Sequence, residues 1–138
     1  MIEKDRLLVA YADGGCRGNP GPMGIGAIVY DPEGTVVRSI SYSRPQGTNN
    51  QAEYLAAIAA LEAARDVGAR SVELRMDSEL VVRQLNGEYR VKNKGLQPLY
   101  LRACRLLKGF DHWRCVHVGR DNNVEADRLA NRALDFAG

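Results

Sequence analysis

Cysteine and histidine are scarce in this chain, and the scarcity excludes several chemistries at once. Cys16, Cys104 and Cys115 make an odd count with no CxxC spacing, which argues against a disulfide framework or a cysteine-held zinc site. Two histidines, His112 and His117, are too few for a histidine metal cluster. No apolar run approaches the roughly 20 residues of a membrane-spanning helix. The opening Met1-Ile2-Glu3-Lys4-Asp5 lacks the shape of a signal peptide. Repeats, low-complexity tracts and Pro/Ser linkers are also missing. The expectation is a single domain over residues 1–138, monomeric and cytoplasmic with reduced thiols, with no membrane and no protein partner. At 45% hydrophobic and 26% charged, the composition is that of an ordinary globular chain with material for a real core.

What is present is acidic and specifically placed. Asp13 ends the apolar run Leu7–Ala12 and opens DGGCRGNPG at 13–21; Glu53 follows TNNQA at the head of an Ala-rich segment. Asp77 ends Val72–Met76, and Asp127 shares a helical stripe with Val124, Ala130 and Leu134. Asp13, Glu53 and Asp77 have no adjacent basic residue of the kind that makes an ordinary salt bridge. Carboxylates gathered by a fold repel one another unless protonated or bridged by cations. The economical reading is a divalent-metal site, and hard oxygen donors favour Mg²⁺ or Mn²⁺ over zinc. Taken singly the signals differ. Asp13 fits a turn with Gly14 as well as a reactive strand end, and Glu53 also fits a first-turn acid favoured by the helix dipole. Asp127 faces inward if its stripe holds. Asp77 is weakest, because Glu73 and Arg75 share its strand parity and mark that face as solvent-exposed.

The net charge of +2 hides an asymmetry. Residues 83–108 carry seven basic side chains against one acid, Glu88, whereas the remaining 112 residues carry 12 basic and 16 acidic. A basic stretch set against an acidic metal site is what a phosphate-backbone substrate needs. A solvated helix face with surplus lysines is the plainer alternative.

Periodicity and turn residues predict strands at 6–13, 25–30, 35–43, 72–77 and 113–118. Helices are predicted at 50–66, 79–86, 97–108 and 124–136, with residues 14–24 a Gly/Pro loop and Asp31-Pro32-Glu33-Gly34 a hairpin turn. Asn49 or Asn50 is placed to cap the first helix, Ser78 the second, and Asn122 or Asn123 the last. The apolar positions of the third helix include Leu99, Leu101, Cys104 and Leu106. The order β-β-β-α-β-α-α-β-α is an α/β fold, a five-stranded mixed sheet flanked by helices.

DGGCRGNPG at 13–21, TNNQAEY at 48–54, MDSELV at 76–81 and NNVEADRLANRAL at 122–134 resemble the successive motifs of type 1 ribonuclease H. They stand in that family's order over about residues 6–136, and four in register make the resemblance specific. It implies the ribonuclease H-like fold and two metal ions, Mg²⁺ with Mn²⁺ able to substitute, held by Asp13, Glu53, Asp77 and Asp127. It also implies hydrolysis of the RNA strand of RNA/DNA hybrids to 5′-phosphate and 3′-hydroxyl ends. Asp13 would bridge both ions. The positions that would read the hybrid are Gly14, Gly15, Cys16, Asn19, Asn49 and Gln51, with Thr48, Asn50 and Ser78 as phosphate contacts.

Two departures stand out. Many members carry a histidine in the loop before the last helix; here it is Gly119-Arg120-Asp121-Asn122-Asn123. Arg120 is a candidate for binding the scissile or departing phosphate, but an arginine stays charged and shuttles protons poorly. His117 is expected to be structural. Residues 86–97 are too short for the basic protrusion of some members, which leaves Arg90, Lys92 and Lys94 as a reduced grip with salt-sensitive binding. Two competitors remain: another metal nuclease on the same fold, such as a transposase, integrase or proofreading exonuclease, and a catalytically silent hybrid-binding module. The first lacks its own signatures here, and a silent binder has no need for four crowded acids.

Overall fold

The computed structural model describes residues 7–136. The first strand, β1 (Leu7–Cys16), pairs antiparallel with β2 (Gly21–Tyr30), and β2 pairs antiparallel with β3 (Val36–Gly47). Helix α1 (Asn49–Asp66) then crosses to β4 (Ser71–Met76), which lies parallel to β1. Two helices, α2 (Glu79–Leu85) and α3 (Gln97–Lys108), lead to β5 (His112–His117), parallel to β4. A 3₁₀ turn at Arg120–Asn122 precedes α4 (Val124–Phe136). The sheet order β3-β2-β1-β4-β5 is the mixed arrangement the sequence implies. The start of the first predicted strand, at residue 6, lies outside the described residues.

Glycines set how closely the two helical layers press on the sheet. A Cβ on Gly14 would fall 2.1 Å from the Ala52 carbonyl oxygen of α1, and one on Gly24 or Gly26 would lie 2.2 or 2.3 Å from the carbonyls of Ala130 or Ala126 in α4. Gly24 and Gly26 pair with Gly15 and Asp13, so α4 covers the Asp13 side of the sheet while α1 covers the Gly14 side. This explains why the predicted 14–24 loop is largely strand. Glycine is required there by helix backbone on each face, and only residues 17–20 are left outside β1 and β2. The Asp31–Gly34 turn forms as expected. Asp31 Oδ1 accepts from the Glu33 and Thr35 amides, and Gly34 takes φ 85°.

Helix α1 buries ten side chains, seven of them alanine, and these small residues let it lie close to β1. Its cap is Thr48, not Asn49 or Asn50. The Thr48 hydroxyl accepts from Gln51 N at 3.1 Å, and Gln51 Oε1 accepts from Thr48 N at 3.0 Å. This reciprocal pair contributes about 1 kcal/mol. In α3 the buried positions are Ala103 and Leu107, while Leu101 is 57% exposed, so the predicted apolar face was drawn too far round the helix. Among the described residues no helix is long and apolar enough to cross a membrane.

Candidate active site

The carboxylates assemble where β1, α1, β4 and α4 meet. Asp13, Gly14, Gly15, Asn49, Asn50, Glu53, Asp77, Arg120, Asp127 and Asn131 line one open groove of about 540 Å³. Each acid arrives by a different route. Asp13 pairs with Gly26 at a point where α4 lies on the sheet. Gly14, next along the strand, admits the first turns of α1 and so brings Glu53 close. Asp77 follows β4, whose partner in register is β1.

Asp127 reaches the groove in a way the sequence pattern did not suggest. The buried face of α4 is Ala126, Leu129, Ala130, Ala133 and Leu134, and both Val124 and Asp127 are exposed. Asp127 therefore lies on the flank of the helix, not on its inward stripe. The close seat of α4 on Gly26 still brings its carboxyl within hydrogen-bonding range of Asp13. The solvent-facing reading of β4 also fails. Glu73 is 3% exposed and receives hydrogen bonds from Arg75 and from Arg114 of β5. Burial alone would raise its carboxyl, but the two guanidiniums outweigh burial and hold it below the usual range. Strand parity cannot show this, because the covering arginine comes from a strand 41 residues away.

Two of the four acids are oriented by polar neighbours. Ser78, buried at 6% exposure, donates from its hydroxyl to Glu53 Oε1 at 3.0 Å while accepting from Val81 N as the cap of α2. Ser78 is not part of the groove wall. Asn123, 1% exposed, donates through Nδ2 to the Ala12 carbonyl at 3.0 Å and to Asp77 Oδ1 at 3.3 Å. The two acceptors fix which way the amide points and leave its Oδ1 buried without a partner. Sequence reasoning named Asn123 only as a cap and missed its grip on Asp77. It also missed Asn131 in the groove wall, although Asn131 stands one helical turn after Asp127.

The first loop is tied to the start of α1. Asn49 Oδ1 accepts from the Cys16 amide at 2.9 Å and from its thiol at 3.3 Å; Asn19 Oδ1 accepts from Asn49 N at 3.1 Å. Cys16 and Asn19 thus hold Asn49, and with Gln51 and Thr48 they lie outside the groove wall. Gly15, Asn49 and Asn50 line it. Arg120 sits at the rim with 90% of its side chain exposed and Nε 3.9 Å from Asp77 Oδ2. That contact is too exposed to be worth much as an ion pair. His117 is exposed, not a core residue. Its register opposite Met76 places it on the Cys115 side of the sheet, away from Glu73 and Asp77.

Electrostatically the groove has a single positive charge, the exposed Arg120 at its rim. Burial, then Asp77 and the adjoining Asp127 and Glu53, push the Asp13 carboxyl up to about 8. Burial, with Asp77 adding to it against the Ser78 hydrogen bond, lifts Glu53 to about 7. Among the described residues no three acid, histidine or cysteine side chains close tightly enough around one point to cage an ion as they stand. The donor set nonetheless suits one: four carboxylates, oxygen only, opposed by a single exposed guanidinium. Because both pKa values are raised, the folded protein holds protons that the unfolded chain releases. Their stabilisation is complete below about pH 4 and is lost as pH climbs to about 8. In chelator, melting temperature is therefore expected to fall by ~5 °C or more between pH 5.5 and 8.5. Added Mg²⁺ should restore it at the higher pH. A flat profile with no Mg²⁺ response in thermal melts would show that the acids are not electrostatically crowded.

Comparison with known proteins agrees with this geometry. Residues 11–133 match the reverse transcriptase-like family. Ribonuclease HI of Halobacterium salinarum is 48% identical over 99% of this chain and 70% of its own length. The N-terminal RNase H domain of Rv2228c from Mycobacterium tuberculosis superposes with TM-score 0.93 at 43% identity, covering 96% of each chain. LC11-RNase H1, solved in complex with an RNA/DNA hybrid, gives TM-score 0.88 at 40% identity over 94% of this chain and 98% of its own. Four acids on the ribonuclease H fold, with relatives of that name matched along nearly the whole sequence, make this chain a member of the ribonuclease H family.

Proposed function

We propose that the chain hydrolyses the RNA strand of RNA/DNA hybrids, with Asp13, Glu53, Asp77 and Asp127 holding two Mg²⁺ ions, for which Mn²⁺ can substitute. The observation that carries this reading is the assembly of all four acids in one groove with the Asp13 carboxyl held near 8. Ions bound there supply activation of the attacking water and stabilisation of the departing 3′-oxygen. The protein's own groups do the rest. Ser78 aims Glu53 and Asn123 aims Asp77, so neither carboxylate is free to swing away from the groove. Arg120, exposed at the rim beside Asp77, is placed to take a phosphate oxygen and stays charged throughout.

Hybrid selectivity needs groups that can read a ribose 2′-hydroxyl on one strand only. Gly15, whose missing Cβ leaves open space, and the amides of Asn49 and Asn50 face the groove for that purpose. With Asn49 Oδ1 already accepting from Cys16, its Nδ2 remains available as the donor. Arg90, Lys92 and Lys94 form no ion pair among the described residues and are exposed, which suits contact with the second strand's phosphates. Three unpaired cysteines fit a reducing compartment and support placing the enzyme in the cytoplasm.

The test is cleavage of a labelled RNA strand in RNA/DNA, RNA/RNA and DNA/DNA duplexes with Mg²⁺, Mn²⁺ or chelator. Metal-dependent cutting of the hybrid RNA, with DNA/DNA left intact, is expected. Tight hybrid binding without cleavage under any metal would leave only a recognition module.

A further inference from the structure

The connector between α2 and α3 carries the three unpaired cations, yet it has no regular secondary structure. Its path is set instead by glutamine amides taking its backbone carbonyls. Gln84 Nε2 donates to Arg90 O at 3.3 Å, Gln97 Nε2 to Val91 O at 3.0 Å, and Gln51 Nε2 to Gly95 O at 3.5 Å. The Gln84 amide is the buried one, at 4% exposure, among Val81, Val82 and Leu85 of α2. An apolar residue would pack there without the desolvation cost of an amide. Both ends of this amide are used: Oε1 accepts from the hydroxyl of Tyr54, a fully buried residue, at 2.5 Å.

Tyr54 follows Glu53 directly in α1, and Gln51 precedes Glu53 by two residues. The turn of α1 that presents Glu53 therefore grips the connector near both of its ends, through Tyr54–Gln84 at Arg90 and through Gln51 at Gly95. We propose that Gln84 is a positioning residue for substrate binding, clamped by Tyr54 so that Arg90, Lys92 and Lys94 are held in register with the carboxylate groove. This rests on the reading of the chain as a hybrid-cleaving enzyme and adds what fixes its grip. An ordered connector presents its cations without first losing conformational freedom, so loosening it should weaken binding and spare the chemical step.

Steady-state cleavage of a labelled hybrid in Mg²⁺ at near-physiological salt tests this with Gln84→Met, the double variant Lys92→Ala/Lys94→Ala, and the two combined. Gln84→Met is expected to raise KM about five-fold, the order of one lost hydrogen bond, with kcat changed by less than about two-fold. In the Lys92→Ala/Lys94→Ala background the same substitution should change KM by less than about two-fold, because two of the three cations it positions are gone. Fully additive effects, an unchanged KM for Gln84→Met, or an equal fall in kcat would overturn the proposal. If the double lysine variant leaves KM unaltered while the parent still cleaves hybrid, the connector does not hold substrate, and this inference falls while the enzyme reading stands. Should Gln84→Met fail to fold, Tyr54→Phe frees the amide from its clamp and keeps the donor. It is expected to raise KM about two-fold, again without effect once both lysines are removed, and an unchanged KM there would equally overturn the proposal.

Discussion

Asp13→Asn is expected to lower hybrid cleavage by about 10³-fold or more, and to make the metal-free protein more stable at the same time. The two effects have one cause. Asp13 is the most crowded carboxyl of the groove, desolvated and repelled by Asp77, Asp127 and Glu53, so its charge is costly without a cation and indispensable with one. Removing a preorganised electrostatic partner of a phosphoryl-type reaction costs on the order of 10²–10³ in rate, and Asp13 would also help hold the ions proposed for the groove, so its loss should cost at least as much. The amide keeps the shape and removes the charge, so repulsion above about pH 8 disappears and the melting temperature in chelator should rise. Cleavage assays and thermal melts on the same preparation check both halves. A variant that is inactive and also less stable would mean that Asp13 holds the fold together and would sink the metal-ligand role.

Gly14→Ala should be nearly as damaging to activity, and it should also destabilise the fold. The added Cβ would meet Ala52 O at 2.1 Å, Ala52 C at 2.4 Å and Glu53 N at 2.9 Å. All three atoms are helix backbone and cannot rotate away. Overpacking of this kind costs ~1–3 kcal/mol or more. The strain falls on the contact that sets the distance between Asp13 and Glu53, so misplacement should add a loss of about 10²-fold in cleavage. Gly15→Ala is the control: its Cβ would come no closer than 3.8 Å, to Asn49 Oδ1. Chemical denaturation and kcat for the two variants separate them. Equal stability would show that α1 can shift to accommodate the methyl group, and the glycine would then not be a spacing device.

Much of this protein was legible in its sequence, and the limits have a physical pattern. Element type and order followed from local periodicity and turn chemistry, because an Ala-rich 3.6-residue repeat or an Asp-Pro-Glu-Gly turn carries its own cause. The four acids stood out because a carboxylate at the end of an apolar run needs an explanation wherever the chain goes. Apart from the cap of α1, where Thr48 and Gln51 are local, the errors involve partners that local sequence cannot see. Gly14 and Gly24 looked like loop and are strand, because helix backbone on either face leaves no room for a Cβ. Glu73 looked solvated and is buried beneath arginines of its own strand and of β5. Asp127 looked inward and is exposed, yet it still meets Asp13 because α4 sits on Gly26. Ser78 and Asn123 looked like helix caps; Ser78 caps α2 and also orients Glu53, whereas the Asn123 amide caps nothing and holds Asp77.

The sequence by itself determined the elements, their order, the acids and the surplus of positive charge between α2 and α3, since each is a property of neighbours along the chain. Tertiary structure decided which side chains share the groove, which carboxylate is most crowded, and how the basic connector is held against α1. Those outcomes depend on close approaches between segments far apart in the chain, 111 residues in the case of Asn123 and Ala12, and desolvation and repulsion arise only once such segments meet.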